Sequence, residues 1–349
     1  MTEMTLPWQS LMVGFGLTAM ALQVGMPLAQ KIGWVDRPSK RKRHKTPTPL
    51  IGGAAMFFGY VPALLLQEGL WFEREVFLVV AGLALIVGFV DDWETLRARF
   101  RFLTEFAIAL MITAWGGVAV HTLGDLVGLG EVVLGVWEIP FTMICLVGVI
   151  NAVNMSDGLD GMAGGQSLVS LLMLFVLAAL VGRWQEAWWV GLSVMVLIPF
   201  LLLNAPLPGR GAARIFMGDA GSMFLGLTLA WFTVTLSQGS NPAFAPVTAL
   251  WLVAVPLIDM FSSILRRLLT GRKPFSPDLQ HMHNLFLVMG FAKGEVFLIM
   301  VGLTSLFGIV GIAADFGGVP HALMFYLLLV LFAAYSWASI GFWKRHENC

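Results

Sequence analysis

Four short polar stretches carry residues whose types and spacing suit chemistry. They are the adjacent pair Asp91-Asp92, the series Asn151, Asn154, Asp157 and Asp160, Asp219 within FMGDAGS, and His281 and His283 within SPDLQHMHN. Adjacent carboxylates repel, so keeping both ionised calls for basic neighbours or a divalent cation. Arg97, Arg99 and Arg101 follow the Asp pair closely. In the second stretch a spacing of three keeps the four polar residues on one broad helix face. A capped helix end followed by a turn accounts for only one or two of them. No Glu stands at the twelfth position, so the stretch is not an EF-hand. Asp219 enters an apolar run, where it reads as an N-cap or as a hard-metal ligand beside phosphate-favouring backbone N–H groups. Phe216 just before it is an interfacial aromatic or a stacking surface for a base. Two histidines two residues apart are a poor zinc site and suit an anionic substrate better. Gly161, Gly164 and Gly165 read as a helix-packing face, and Asp259 as structural support inside the bundle.

The elements that must hold these residues are membrane helices. The 349 residues are 58% hydrophobic and only 12% charged, with a mean hydropathy of +0.82; soluble domains are roughly a quarter charged. A net charge of zero gives no field for nucleic acid, and the two cysteines suggest no disulfide framework. Eleven apolar spans are expected, at about 8–30, 49–67, 75–90, 102–120, 137–153, 164–182, 187–203, 219–236, 247–267, 295–314 and 321–343. With no basic residue before it, the first reads as a retained helix. The expectation is an all-α polytopic protein, with residues 1–349 forming one transmembrane catalytic domain.

Charge sorting tests that count. With eleven crossings and the N-terminus outside, 19 of the 21 Lys and Arg fall on the cytoplasmic side; Arg74 and Arg183 do not. The basic segment 31–45 reads as a topology anchor. All four polar stretches then share the cytoplasmic surface. Carboxylates, amides, Arg and His gathered there fit phosphate chemistry, with a hard divalent cation bridging a diphosphate. Placement at the lipid boundary suggests one lipid phosphate and one soluble nucleotide. The competing reading, a transporter or lipid carrier without chemistry, predicts polar groups near the midplane and repeat symmetry; the sequence offers neither.

RPSKRKRHKTPTPLIGG, GFVDDWETLRARFRF, NAVNMSDGLDGMAGG, FMGDAGSMFLG and VPLIDMFSSILRRLLTGRKPFSPDLQHMHN follow one another along nearly the whole chain. In that order they resemble the polyprenyl-phosphate N-acetylhexosamine-1-phosphate transferases of glycosyltransferase family 4. The PFSPD…H-x-H form looks most like the bacterial branch using UDP-GlcNAc and undecaprenyl phosphate, whose reaction starts O-antigen, enterobacterial common antigen or wall-polymer synthesis. The resemblance implies a Mg²⁺-dependent enzyme (Mn²⁺ as an alternative) of the bacterial inner membrane, open to homodimer formation. By the same resemblance Asp219 is the metal ligand and Asn154 approaches metal and diphosphate. Asp91 and Asp92 position or deprotonate the lipid phosphate, and Arg101 contacts phosphate. Lys45, Leu159, Asp160 and Phe216 belong to the uracil pocket, Asp157 to the substrate site, and His281 and His283 to the sugar-phosphate. One departure stands out: where the family has H-x-H-H, this chain has Asn284 last, which places sugar recognition in question.

Overall fold

In the computed structural model, residues 8–38, 46–67, 72–206, 212–274, 276 and 278–346 are described. They form thirteen α-helices and one short strand pair: α1 Trp8–Ile32, β1 Val35–Asp36, β2 Thr48–Pro49, α2 Gly52–Leu65, α3 Phe72–Glu94, α4 Ala98–Leu110, α5 Glu138–Ser156, α6 Met162–Leu180, α7 Trp184–Asn204, α8 Gly218–Ser237, α9 Pro246–Leu252, α10 Ala254–Leu269, α11 Met282–Val288, α12 Lys293–Phe316 and α13 His321–His346.

All eleven expected spans coincide with helix, but not all as single crossings. Eight helices are long and apolar enough to cross a bilayer. The segment foreseen as one span at 247–267 is broken: α9 and α10 meet at an angle of 80°, and count as a ninth only if taken together. At the break Ser170 Oγ donates to the carbonyl of Leu252 at 2.7 Å, satisfying a group that the interrupted ladder leaves over. α2 is shorter, at 14 residues, and α4 ends in a π-helical turn, Met111–Trp115.

α8 is the axis of the fold. It is apolar on every side, as a helix surrounded by protein must be, and 94% of its span is buried against 22% for α13. Small residues let neighbours approach it: a Cβ on Gly88 of α3 would lie 2.3 Å from Ala220 Cα. That closeness delivers the end of α3, with Asp91 and Asp92, to the start of α8. The strand pair matches Val35 with Pro49 and Asp36 with Thr48. Its second strand is then stitched to the same place, since Phe216 N–H donates to Pro49 O at 2.8 Å and Gly52 N–H to Phe216 O at 3.0 Å.

Candidate functional site

A cavity of about 500 Å³ opens where the ends of α3, α5, α8 and the segment between α10 and α12 converge. Asp91, Asp92, Asn154, Asp157, Leu159, Asp160, Phe216, Asp219, His281 and His283, from all four polar stretches, line it together. Arg101 is not in its wall, and Lys45 lies outside the described residues.

Adjacent in sequence, Asp91 and Asp92 are employed differently. Asp92 caps α8: its Oδ1 accepts from Asp219 N–H at 2.8 Å and its Oδ2 from Ala220 N–H at 3.3 Å, a carboxylate at the positive end of a helix. Asp91 closes the turn after α3 by accepting from Leu96 N–H at 2.7 Å, and it pairs with Arg101 at 3.4 Å. Arg101 in turn donates to Asn151 Oδ1 at 3.2 Å and stands 3.5 Å from Glu105, which also accepts from Asn151. Arg101 is therefore held in a network joining α3, α4 and α5. In this network its guanidinium neutralises Asp91. Asn151 thus bridges Arg101 and Glu105. Glu105 escaped notice; its signal was the four-residue spacing from Arg101 inside an apolar run.

Asn154 reaches from the last turn of α5 to α8, donating to Asp219 Oδ1 at 2.6 Å beside Ser222 Oγ at 2.8 Å. The following loop, 157–161, forms the cavity floor. Asp157 is exposed and lines the cavity. Desolvation by the protein walls around it, then the negative charges of Asp219, Asp92 and Asp160, push its carboxyl up to about 7. Asn204 fastens the far end of the loop by accepting from Gly161 N–H at 2.7 Å. As the one polar residue ending an apolar helix, it too was findable. Gly164 and Gly165 pack closely on Leu201 and Phe297, in keeping with the helix-packing reading.

The histidine wall rests on a second scaffold. His281 Nδ1 lies 2.9 Å from Asp259 Oδ2 and its Nε2 3.6 Å from Asp278 Oδ1. Asp259 also accepts from Met282 N–H at 2.7 Å and from Tyr335 Oη at 3.2 Å. Its supporting role, expected from sequence, is thus to orient His281. Burial works to raise the Asp278 carboxyl, but bonds from Arg267 and the Gln280 N–H, with Arg266 beside them, hold it well below the usual range. His281 is extended and starts α11, so the rings of His281 and His283 lie parallel with centroids 5.8 Å apart. Asn284 Nδ2 sits 2.9 Å from His283 Nε2. The loop meets this wall at Gly158, where a Cβ would fall 2.5 Å from His283 Nε2.

Among the described residues, no three His, Cys, Asp or Glu side chains group closely enough to hold a metal alone. The donor set nevertheless fits a cation shared with substrate. The charges bearing on Asp157 are all negative, and a hard ion such as Mg²⁺ commonly takes one or two carboxylates and completes its shell with phosphate oxygens and water.

The sequence profile of glycosyl transferase family 4 matches residues 75–237, which carry α3 to α8. An undecaprenyl-phosphate alpha-N-acetylglucosaminyl 1-phosphate transferase of Yersinia pestis is 36% identical over 93% of this chain and 88% of its own. Relatives of the same name from Escherichia coli K12 and Haemophilus influenzae are each 33% identical, over 95% and 96% of this chain and 90% and 94% of theirs.

Proposed function

The chain belongs to glycosyl transferase family 4, and from that premise we propose that it transfers a sugar 1-phosphate, N-acetylglucosamine 1-phosphate, from a UDP-sugar to undecaprenyl phosphate. The relatives' shared name supports the lipid acceptor and the sugar. The observation that carries the reading is the convergence of ten expected site residues, from four distant stretches, on one cavity.

A lipid-phosphate oxygen attacks the phosphorus that bears the sugar. The bond from that phosphorus to the bridging oxygen breaks, and UMP leaves. The lipid phosphate is already largely ionised near neutral pH, so attack in one step needs no protein nucleophile. Asp219 and Asn154 would hold the metal, Mg²⁺ with Mn²⁺ as an alternative. When bound, the cation supplies charge neutralisation on the diphosphate and the leaving phosphate. Asp92 fixes the backbone that presents Asp219, while Asp91 and Arg101 keep the neighbouring turn in place. His281, aimed by Asp259, and His283, beside Asn284, present ring nitrogens toward the transferred sugar-phosphate. Catalysis here is mostly positioning and electrostatics.

The same reading makes this a multi-pass protein of the bacterial inner membrane. It has eleven crossings, the N-terminus outside and the cavity facing the cytoplasm, where UDP-sugars are made. On this reading α2, α4 with its π-helical turn, and the broken α9–α10 pair would supply the crossings beyond the eight helices long enough to cross alone. Purified protein given radiolabelled UDP-GlcNAc, Mg²⁺ and undecaprenyl phosphate should yield a lipid-linked diphosphate sugar and UMP in equal amounts. Absence of both products, with a panel of other UDP-sugars also inert, refutes the proposal.

A further inference from the structure

The cavity has a second pole besides its acidic one. Lys293 opens α12, and its Nζ stands 3.6 Å from Asp160 Oδ2. Among the described residues lining the cavity it is the only Lys or Arg. The lysine side chain is 39% exposed and the carboxylate partner 13%, so the ammonium reaches into open space beside a more enclosed acceptor. The floor loop links the poles. Asp157 belongs to the acidic group with Asp219 and Asp92, and Asp160, three residues on, belongs to the lysine pair. Three residues span at most about 10 Å of chain, so a ligand of nucleotide size can touch both.

The two poles ask for different parts of a ligand. Carboxylates facing one another call for a cation and the phosphates it carries. The Lys293–Asp160 pair is charge-compensated and gives a phosphate little net attraction. It offers direction instead: one donor beside one acceptor, in a wall that also contains the apolar surfaces of Leu159 and Phe216. A flat, neutral heterocycle with an N–H next to a carbonyl matches it. Resting on the UDP-sugar reading above, we propose that Lys293 is a specificity-determining residue that reads, together with Asp160, the imide edge of the donor's uracil. Asp160 accepts the N3–H and the Lys293 ammonium donates to the adjacent O4. Cytosine held in the same position turns an acceptor nitrogen to the carboxylate and an amino group to the ammonium. Both contacts then become unfavourable, and discrimination arises from unpaired groups as much as from attraction.

The test uses full-length wild type, Lys293→Ala, Lys293→Met and Lys293→Arg in steady-state assays with UDP-GlcNAc and undecaprenyl phosphate, with UMP and CMP as inhibitors. The Ala and Met variants should raise the KM for UDP-GlcNAc and the inhibition constant of UMP about tenfold or more. Inhibition by CMP, kcat and the KM for the lipid should stay within about threefold, and Arg should restore part of the loss. Met keeps the apolar stem and serves where Ala lowers stability. An unchanged donor KM, or equal weakening of UMP and CMP, overturns the assignment. A wild type inert toward every UDP-sugar overturns the proposed function itself; an active wild type with unaltered Lys293 variants overturns only this role.

Discussion

α5 and α12 each run from one polar cluster to another, and the two clusters use the same residue types in opposite ways. At the start of α5, Glu138 lies 2.8 Å from His121 Nδ1. Nearby, Gln238 Oε1 accepts from the N–H groups of His121 and Thr122 at 3.0 and 3.2 Å. At the end of α12, Asp315 accepts from Ala245 N–H at 2.8 Å and Thr248 Oγ1 at 2.7 Å, with His321 at 3.8 Å. There each carboxylate meets a donor or a base. At the other ends of the same helices, Asn154 and Lys293 border a cavity into which Asp92, Asp157 and Asp219 bring negative charge toward one another. Matched groups hold a bundle together, whereas gathered like charges persist only where something else is meant to compensate them. The difference separates a structural end from a working end without reference to any relative.

The sharpest way to break that comparison is to neutralise the centre of the acidic group. Asp219→Asn keeps the shape and the Asn154 contact, and should lower turnover about a thousandfold, in the range seen when one transition-state electrostatic partner is removed. The melting temperature should stay within a few degrees. Wild-type rates in a sugar-transfer assay would contradict the assignment of Asp219. Asp92→Ala is the next largest. It removes both acceptors from the start of α8, so turnover should fall about a hundredfold, accompanied by a stability loss of about 1–2 kcal/mol, typical of a lost cap. A fall in activity with no stability change would mean that Asp92 acts on substrate alone.

Much of this was legible in the sequence, and the gaps have physical causes. Eleven apolar runs become helix because hydrocarbon forces backbone bonds inward. Sorting Lys and Arg by loop put all four polar stretches on one side, and they do share a cavity. The break at Val253 carries one sequence signal, Pro256, which has no N–H for the Leu252 carbonyl; what the sequence hides is that Ser170, 82 positions from Leu252, satisfies that carbonyl instead. The division between Asp91 and Asp92 was not readable: their roles depend on which backbone N–H each faces across helix contacts. The engagement of Arg101 by Glu105 and Asn151 was hidden as well, because these partners lie on two helices whose rotation only the packing sets. Lys293 looked like one more topology charge until the fold placed Asp160 beside it.

A smaller effect sharpens the contrast through pH. Because the folded site raises the Asp157 carboxyl to about 7, that group carries its proton below about pH 7 and must release it when a cation fills the acidic group. Apparent Mg²⁺ affinity should therefore drop about tenfold per pH unit below that point and level off above pH 8. Titration calorimetry in buffers of different ionisation enthalpy should register proton release at pH 6 and almost none at pH 8.5. In Asp157→Asn the dependence should become shallower. An unchanged slope in that variant would assign the proton elsewhere.

The smallest expected effect on chemistry comes from the matched end. Asp315→Ala removes the acceptor for Ala245 N–H and Thr248 Oγ1 at the start of α9. It should cost about 1–3 kcal/mol of stability through the lost cap and the groups left without a partner. A helix of 24 residues, about 36 Å long, separates it from Lys293, so kcat and both KM values should stay within about twofold. If that variant instead lowers kcat as strongly as Asp92→Ala does, α12 transmits strain along its length, and the two ends of the bundle are not independent.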